Sequence, residues 1–170
     1  MVNQTSEASA YSANCKAVAQ VFVQTSYHGG EFDQPISMDE LVKRTGLSKE
    51  DVKDGIDDLG SEMVLFQDDG HSIAPHAKLY AVFDSFWMAW RPADDALTLA
   101  KAMVSEKNFP TDPSQISDFM AWEPRRLNPA MTYLACHHLA ETHESGNGSP
   151  WIYNLLMKNA ETSRYVHNMA

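Results

Sequence analysis

The sequence predicts a mainly helical chain with one small β-hairpin, an α+β class, and three observations carry that prediction. Apolar residues recur at three- and four-residue steps through most of the chain, the period of an amphipathic helix. Two short helical stretches near residues 38 and 49 each have their own capping residue and meet at a glycine. A single hairpin signal, Asp68-Asp69-Gly70, lies between two short apolar runs. The 170 residues are 44% hydrophobic and 21% charged, an ordinary globular usage that suits one or two compact domains.

The first helix is expected from about Ala13, where Ala13, Ala17, Val18, Val21 and Phe22 share a face, and Gly29-Gly30 stops it. Ser37-Met38-Asp39-Glu40 fits a capping box, the serine hydroxyl taking a free amide while Glu40 reaches back. A short helix through Leu41 and Val42 ends at Gly46, and Ser48 caps the next, which carries Val52, Ile56, Leu59 and Met63. Met63 to Phe66 and His71 to Ala74 read as two strands around the turn. Pro75 then opens a helix with the apolar stripe Leu79, Tyr80, Phe83, Phe86, Trp87 and Trp90. Beyond Arg91-Pro92 the chain reads as helical throughout, with no strand signal. Helices are expected over Leu97 to Val104, from Asp112-Pro113, from Asn128-Pro129, and from Ser149-Pro150 through Trp151, Ile152, Leu155 and Leu156.

Helix, two capped helices, hairpin and helix, in that order, resemble the winged helix-turn-helix domains of transcriptional regulators. The resemblance rests on Leu41, Gly46-Leu47-Ser48, Val52, Ile56, Leu59 and the run Gly70 to Ala77. Gly60 falls earlier than the glycine that often follows the second helix of such domains. The resemblance implies a winged helix over residues 13–91; the region over 92–170, read above as all-helical, is then a candidate for dimerisation or ligand binding. It also implies DNA as a partner, with the second helix of the motif in the major groove. Lys43, Arg44, Ser48, Lys49 and Lys53 are then the candidate contacts, and a homodimer or another protein is the further partner expected.

Charge argues against the DNA part of that implication. The chain carries 23 acidic and 13 basic residues, a formal net charge of −10. Residues 1–92 hold 7 basic against 14 acidic groups, and residues 93–170 hold 6 against 9. From Ser48 to Met63, Lys49 and Lys53 stand among six carboxylates, and the hairpin tip has no Lys or Arg. DNA affinity depends heavily on cations that neutralise phosphates. An acidic winged helix suits a protein-interaction module, which is the alternative reading.

Signatures of chemistry are sparse. Cys15 and Cys136 have no metal or redox spacing, so no disulfide framework is expected. His137, His138, His143, Glu141 and Glu144 fall on one expected helix. His137 and Glu141 are four apart there, which would place two metal ligands on one face without a third. His138 is read as packed beside Met131 and Leu134. Ser145-Gly146-Asn147-Gly148-Ser149 lacks the lysine of a phosphate-binding loop. Arg125-Arg126, read as a loop whose arginines pair with carboxylates, and Trp87, Trp90 and Trp122 are the candidate partner or ligand residues, because Trp and Arg are enriched at binding hot spots. No cofactor, metal or catalytic residue is assigned, and the small-molecule effector, if one exists, is not legible. The expectation is a non-enzymatic binding protein. With neither a basic n-region and apolar h-region nor a membrane-length apolar run, the expected location is the cytoplasm.

Overall fold

The computed structural model describes residues 10–146 and 149–170. Helix α1 (Ala13–Thr25) begins at Ser12, whose hydroxyl accepts the Cys15 amide at 3.1 Å. It buries Cys15, Val18, Ala19, Val21, Phe22 and Val23; of the expected face Val18, Val21 and Phe22 are buried, whereas Ala13 is exposed and Ala17 only partly buried. A loop then turns around one carboxylate. Asp33 accepts the amides of Tyr27 and His28 at 2.9 Å each, of Gly29 at 3.1 Å and of Gly30 at 3.4 Å, and the Ser26 hydroxyl as well. Gly29 has φ +75°, a conformation in which a side chain is strained.

Strand β1 (Ile36–Ser37) leads directly into α2 (Met38–Thr45). Half of the expected capping box forms: Ser37 Oγ accepts the Glu40 amide at 3.1 Å, while the Glu40 carboxylate turns to Arg44 Nε at 2.6 Å. Gly46 ends α2 at φ +71°, and Ser48 starts α3 (Lys49–Leu59) by accepting the Asp51 amide at 3.1 Å. The hairpin strands β2 (Val64–Phe66) and β3 (Ser72–Pro75) follow, and β1 joins them in an antiparallel sheet of order β1-β3-β2. The registers are Ile36 opposite Ile73 and Val64 opposite Pro75.

Helix α4 (Ala77–Trp87) is shared between two hydrophobic clusters. Its Leu79, Tyr80 and Phe83 close the first, which gathers α1, α2, α3 and the sheet. Its Ala77 belongs to the second, with α5 (Pro92–Ser105), α6 (Pro113–Met120) and α7 (Pro124–Cys136). Each large apolar side chain fully buried here, Phe22 and Phe83 among them, contributes about 2–3 kcal/mol.

The mainly helical α+β class is as expected, but the C-terminal region is not all-helical. Strands β4 (Glu141–Glu144) and β5 (Tyr153–Met157) pair antiparallel, with Glu141 opposite Met157, before α8 (Ala160–Asn168). The helix expected from Pro150 is therefore absent, and Leu155 and Leu156 lie on a strand. Helix α7 also begins at Pro124, not at Asn128-Pro129. Pro129 lies inside it, and its missing N–H leaves the Arg125 carbonyl without its i+4 donor. Among the described residues no helix is long and apolar enough to cross a membrane.

Candidate functional site

Helix α3 presents one face to the core and one to solvent. Val52, Gly55, Ile56 and Leu59 are buried, and Gly55 lets α3 approach α1 so closely that a Cβ there would stand 2.7 Å from the Asn14 carbonyl oxygen. Two of its carboxylates serve this contact. Asp58 accepts the Ser12 amide at 3.0 Å, which holds its carboxyl below the usual aspartate range, and Asp51 lies 3.5 Å from Asn14 Nδ2. Lys49, Glu50, Lys53, Asp54 and Asp57 remain exposed.

Lys49 and Lys53, one helical turn apart, line a hollow of about 340 Å³ between α3, the start of α2 and the β2–β3 hairpin. Phe66 and His71 form its hairpin side, and Asp39 also lines it. The structure therefore brings two of the five expected DNA-contact residues together. Ser48 is the α3 cap, and Arg44 is tied to Glu40 and lines a different cavity. Lys43 is exposed on α2. On the hairpin, Asp69 folds the turn by accepting the amides of His71 and Ser72, each at 2.8 Å. Leu65 and Phe66 on β2 are 49% and 39% exposed; as neighbours on one strand they point to opposite faces of the sheet, and Phe66 is the one that lines the hollow with Lys49 and Lys53.

The tryptophans and arginines singled out in the sequence are engaged within the chain. Arg125 and Arg126 sit in the first turn of α7, not in a loop. Arg125 is buried and grips the fully buried Asp84 of α4 with both terminal nitrogens, at 2.6 and 2.7 Å. Burial lifts the Asp84 carboxyl above its ordinary range, against the downward pull of the Arg125 guanidinium. Trp90 Nε1 donates to the same carboxylate at 3.1 Å, and Arg125 stacks over Tyr80 and Trp90. Arg126 pairs with Asp95 at 2.7 and 2.8 Å while lying over the Trp122 ring, and Trp87 stacks on Phe83.

The histidine cluster is dispersed by the C-terminal hairpin. Helix α7 ends at Cys136, so His137 is its cap while Glu141 and His143 lie on β4, 3.5 Å apart at Nε2 and Oε1. The i,i+4 pairing of His137 with Glu141 presumed a helix that is not there. His138, expected to pack beside Met131 and Leu134, is exposed at φ +55° just beyond the helix. Among the described residues no group of three His, Cys, Asp or Glu side chains gathers at one point. In the Gly-rich stretch Asn147 and Gly148 lie outside the described residues, and a strand, not a helix N-terminus, follows it.

One larger concavity was invisible in the sequence. It measures about 510 Å³ and lies between the end of α1, the Asp33 loop, α2 and β3, with Tyr80 of α4 in its lining. Its residues are scattered from Phe22 to Tyr80 and share no spacing, so only the folded chain assembles them.

No protein-family model matches this chain, and no curated protein or solved structure is significantly similar to it.

Proposed function

We propose that this chain is a non-enzymatic regulatory protein that works by binding, with a winged helix-turn-helix module over residues 13–91 whose α3–hairpin face takes a basic protein surface. The order α1-β1-α2-α3-β2-β3 and the sheet order β1-β3-β2 support the winged-helix reading. The observation that carries the choice of partner is the charge of the presented face. Glu50, Asp54 and Asp57 outnumber Lys49 and Lys53 on the exposed side of α3, and Asp68 and Asp69 are exposed at the hairpin tip. Exposed Phe66, on the sheet face that meets α3, adds apolar area that a protein partner desolvates and a DNA backbone does not. A second copy of the chain is the other protein partner that the winged-helix resemblance implies.

A fluorescence titration at low salt with an arginine- and lysine-rich peptide, alongside mixed-sequence duplex DNA, tests this reading. The peptide binds and the duplex does not, and Asp54→Lys with Asp57→Lys abolishes peptide binding. No saturable peptide binding, or binding that survives the charge reversal, overturns it.

DNA is the second reading, favoured by the placement of Lys49 and Lys53 on the hollow beside His71 of the hairpin. It predicts duplex binding that weakens steeply with salt and is lost in Lys49→Ala with Lys53→Ala.

A further inference from the structure

The 510 Å³ cavity beside α2 falls within the size range of small-molecule sites. Phe22, Pro35, Ile36 and Pro75 give it apolar walls. Asp33 lines it too, but its two oxygens already accept four backbone amides and the Ser26 hydroxyl, so it keeps no acceptor for a ligand.

The groups with bonding capacity to spare are Glu40 and Arg44, one helical turn apart on α2. Both line the cavity, and their side chains are 38% and 50% exposed. A carboxylate and a guanidinium can join through two parallel bonds. This pair makes one, from Arg44 Nε to Glu40 Oε1 at 2.6 Å. Among the described residues Arg44 Nη1 and Nη2 have no acceptor, and Glu40 Oε2 has no donor. Unspent cationic donors and an unspent anionic acceptor therefore stand side by side at an apolar cavity. The Nε to Oε1 bond keeps them adjacent, so a ligand that uses both must carry its own opposite charges close together. The ammonium and carboxylate of an α-amino acid, held on one carbon, meet that requirement, and charges at opposite ends of a molecule do not.

We propose that this cavity is a binding site for an apolar α-amino acid, its carboxylate taken by the Arg44 guanidinium, its ammonium by Glu40 Oε2 and its side chain by the apolar walls. The site is separate from the α3–hairpin face and does not depend on which partner that face takes.

Three probes that share a phenyl group and differ in charge test it by NMR titration of the full chain: L-phenylalanine, 3-phenylpropanoate and 2-phenylethylamine. Phenylalanine binds with shifts at Ile36, Glu40 and Arg44, about 2- to 5-fold more tightly than either single-charge probe, the increment of one exposed charge contact. Glu40→Gln weakens phenylalanine and phenylethylamine but not 3-phenylpropanoate. Arg44→Gln weakens phenylalanine and 3-phenylpropanoate but not the amine. The pair is exposed, so both variants keep the fold, checked by an almost unchanged melting temperature. A merely structural role for the pair would move all three probes together. Equal affinities for the three probes, loss of all three in either variant, shifts confined to residues outside the cavity, or no saturable binding each overturns the proposal.

Discussion

Asp84 and Arg125 lie 41 residues apart and meet as a two-point ion pair, Oδ2 to Nη1 at 2.6 Å and Oδ1 to Nη2 at 2.7 Å, inside the protein. The guanidinium also donates to the Val23 carbonyl at 3.2 Å, so α1, α4 and α7 converge on one side chain. A buried pair of this kind returns little net stability when intact, because both charges have been taken out of water. Its effect is on breaking. Asp84→Ala should cost about 3–5 kcal/mol, and Asp84→Leu combined with Arg125→Met should recover most of that loss. Urea denaturation of the wild type, the single variants Asp84→Leu and Arg125→Met, and the double variant closes the cycle, and additive losses in the double variant would refute the pairing argument.

Gly55 inverts the usual rule for glycine in a helix. Replacement by alanine at an open helical site stabilises by about 1 kcal/mol. Here the new methyl would meet the Asn14 carbonyl oxygen at 2.7 Å and Val18 Cγ2 at 3.1 Å, one of them rigid backbone. Gly55→Ala should therefore destabilise by about 1–3 kcal/mol, read as a lower melting temperature.

Asn128 is fully buried and holds three backbone groups. Its amide donates to the His28 and Pro150 carbonyls at 2.7 Å each, and its oxygen accepts the Ile152 amide at 3.0 Å. No other residue type of that size supplies two donors and an acceptor in this arrangement. Asn128→Ala should cost about 3 kcal/mol or more by orphaning all three, and hydrogen exchange at Ile152 should accelerate in step.

Acid should weaken the fold through its capping carboxylates. Asp69 is held below the usual aspartate range by the His71 and Ser72 amides, and Asp112 by the Ser114 hydroxyl and amide. A carboxyl whose folded value is depressed contributes stability above its unfolded value, about 3.9, and loses it as pH falls through the folded value. Denaturation midpoints should drop progressively below pH 4. Asp69→Asn, which keeps an acceptor without the charge, should flatten that dependence.

The first ninety residues were legible because their punctuation is local. Ser37 and Ser48 each accept an amide in the first turn of the helix they precede, as Ser12 does without having been read as a cap, and Gly46 and Gly70 adopt the left-handed conformations their turns require. The C-terminal hairpin was not legible, for a physical reason. Glu141 to Glu144 is exposed at three of four positions, so it has no alternation to detect. In β5 the buried residues Tyr153 and Leu156 are three apart, beside a register irregularity at His143/Glu144, and three is a helical step. For the same reason the histidines looked like neighbours on a helix. The cavity was hidden more deeply, since its lining is scattered from Phe22 to Tyr80 and only the folded chain brings it together.

The sharing of α4 between two cores sets a limit on how the chain can be divided. Arg91-Pro92 is a natural covalent junction, with Pro92 opening α5 and little to hinder a cut. The electrostatic junction lies elsewhere. A fragment ending at Arg91 would uncover the face of α4 that α7 covers and leave Asp84 without its cation, and the complementary fragment would carry Arg125 without its anion. The two pieces are separable on paper by sequence and inseparable by charge, so co-expressed halves should reassociate where either half alone precipitates.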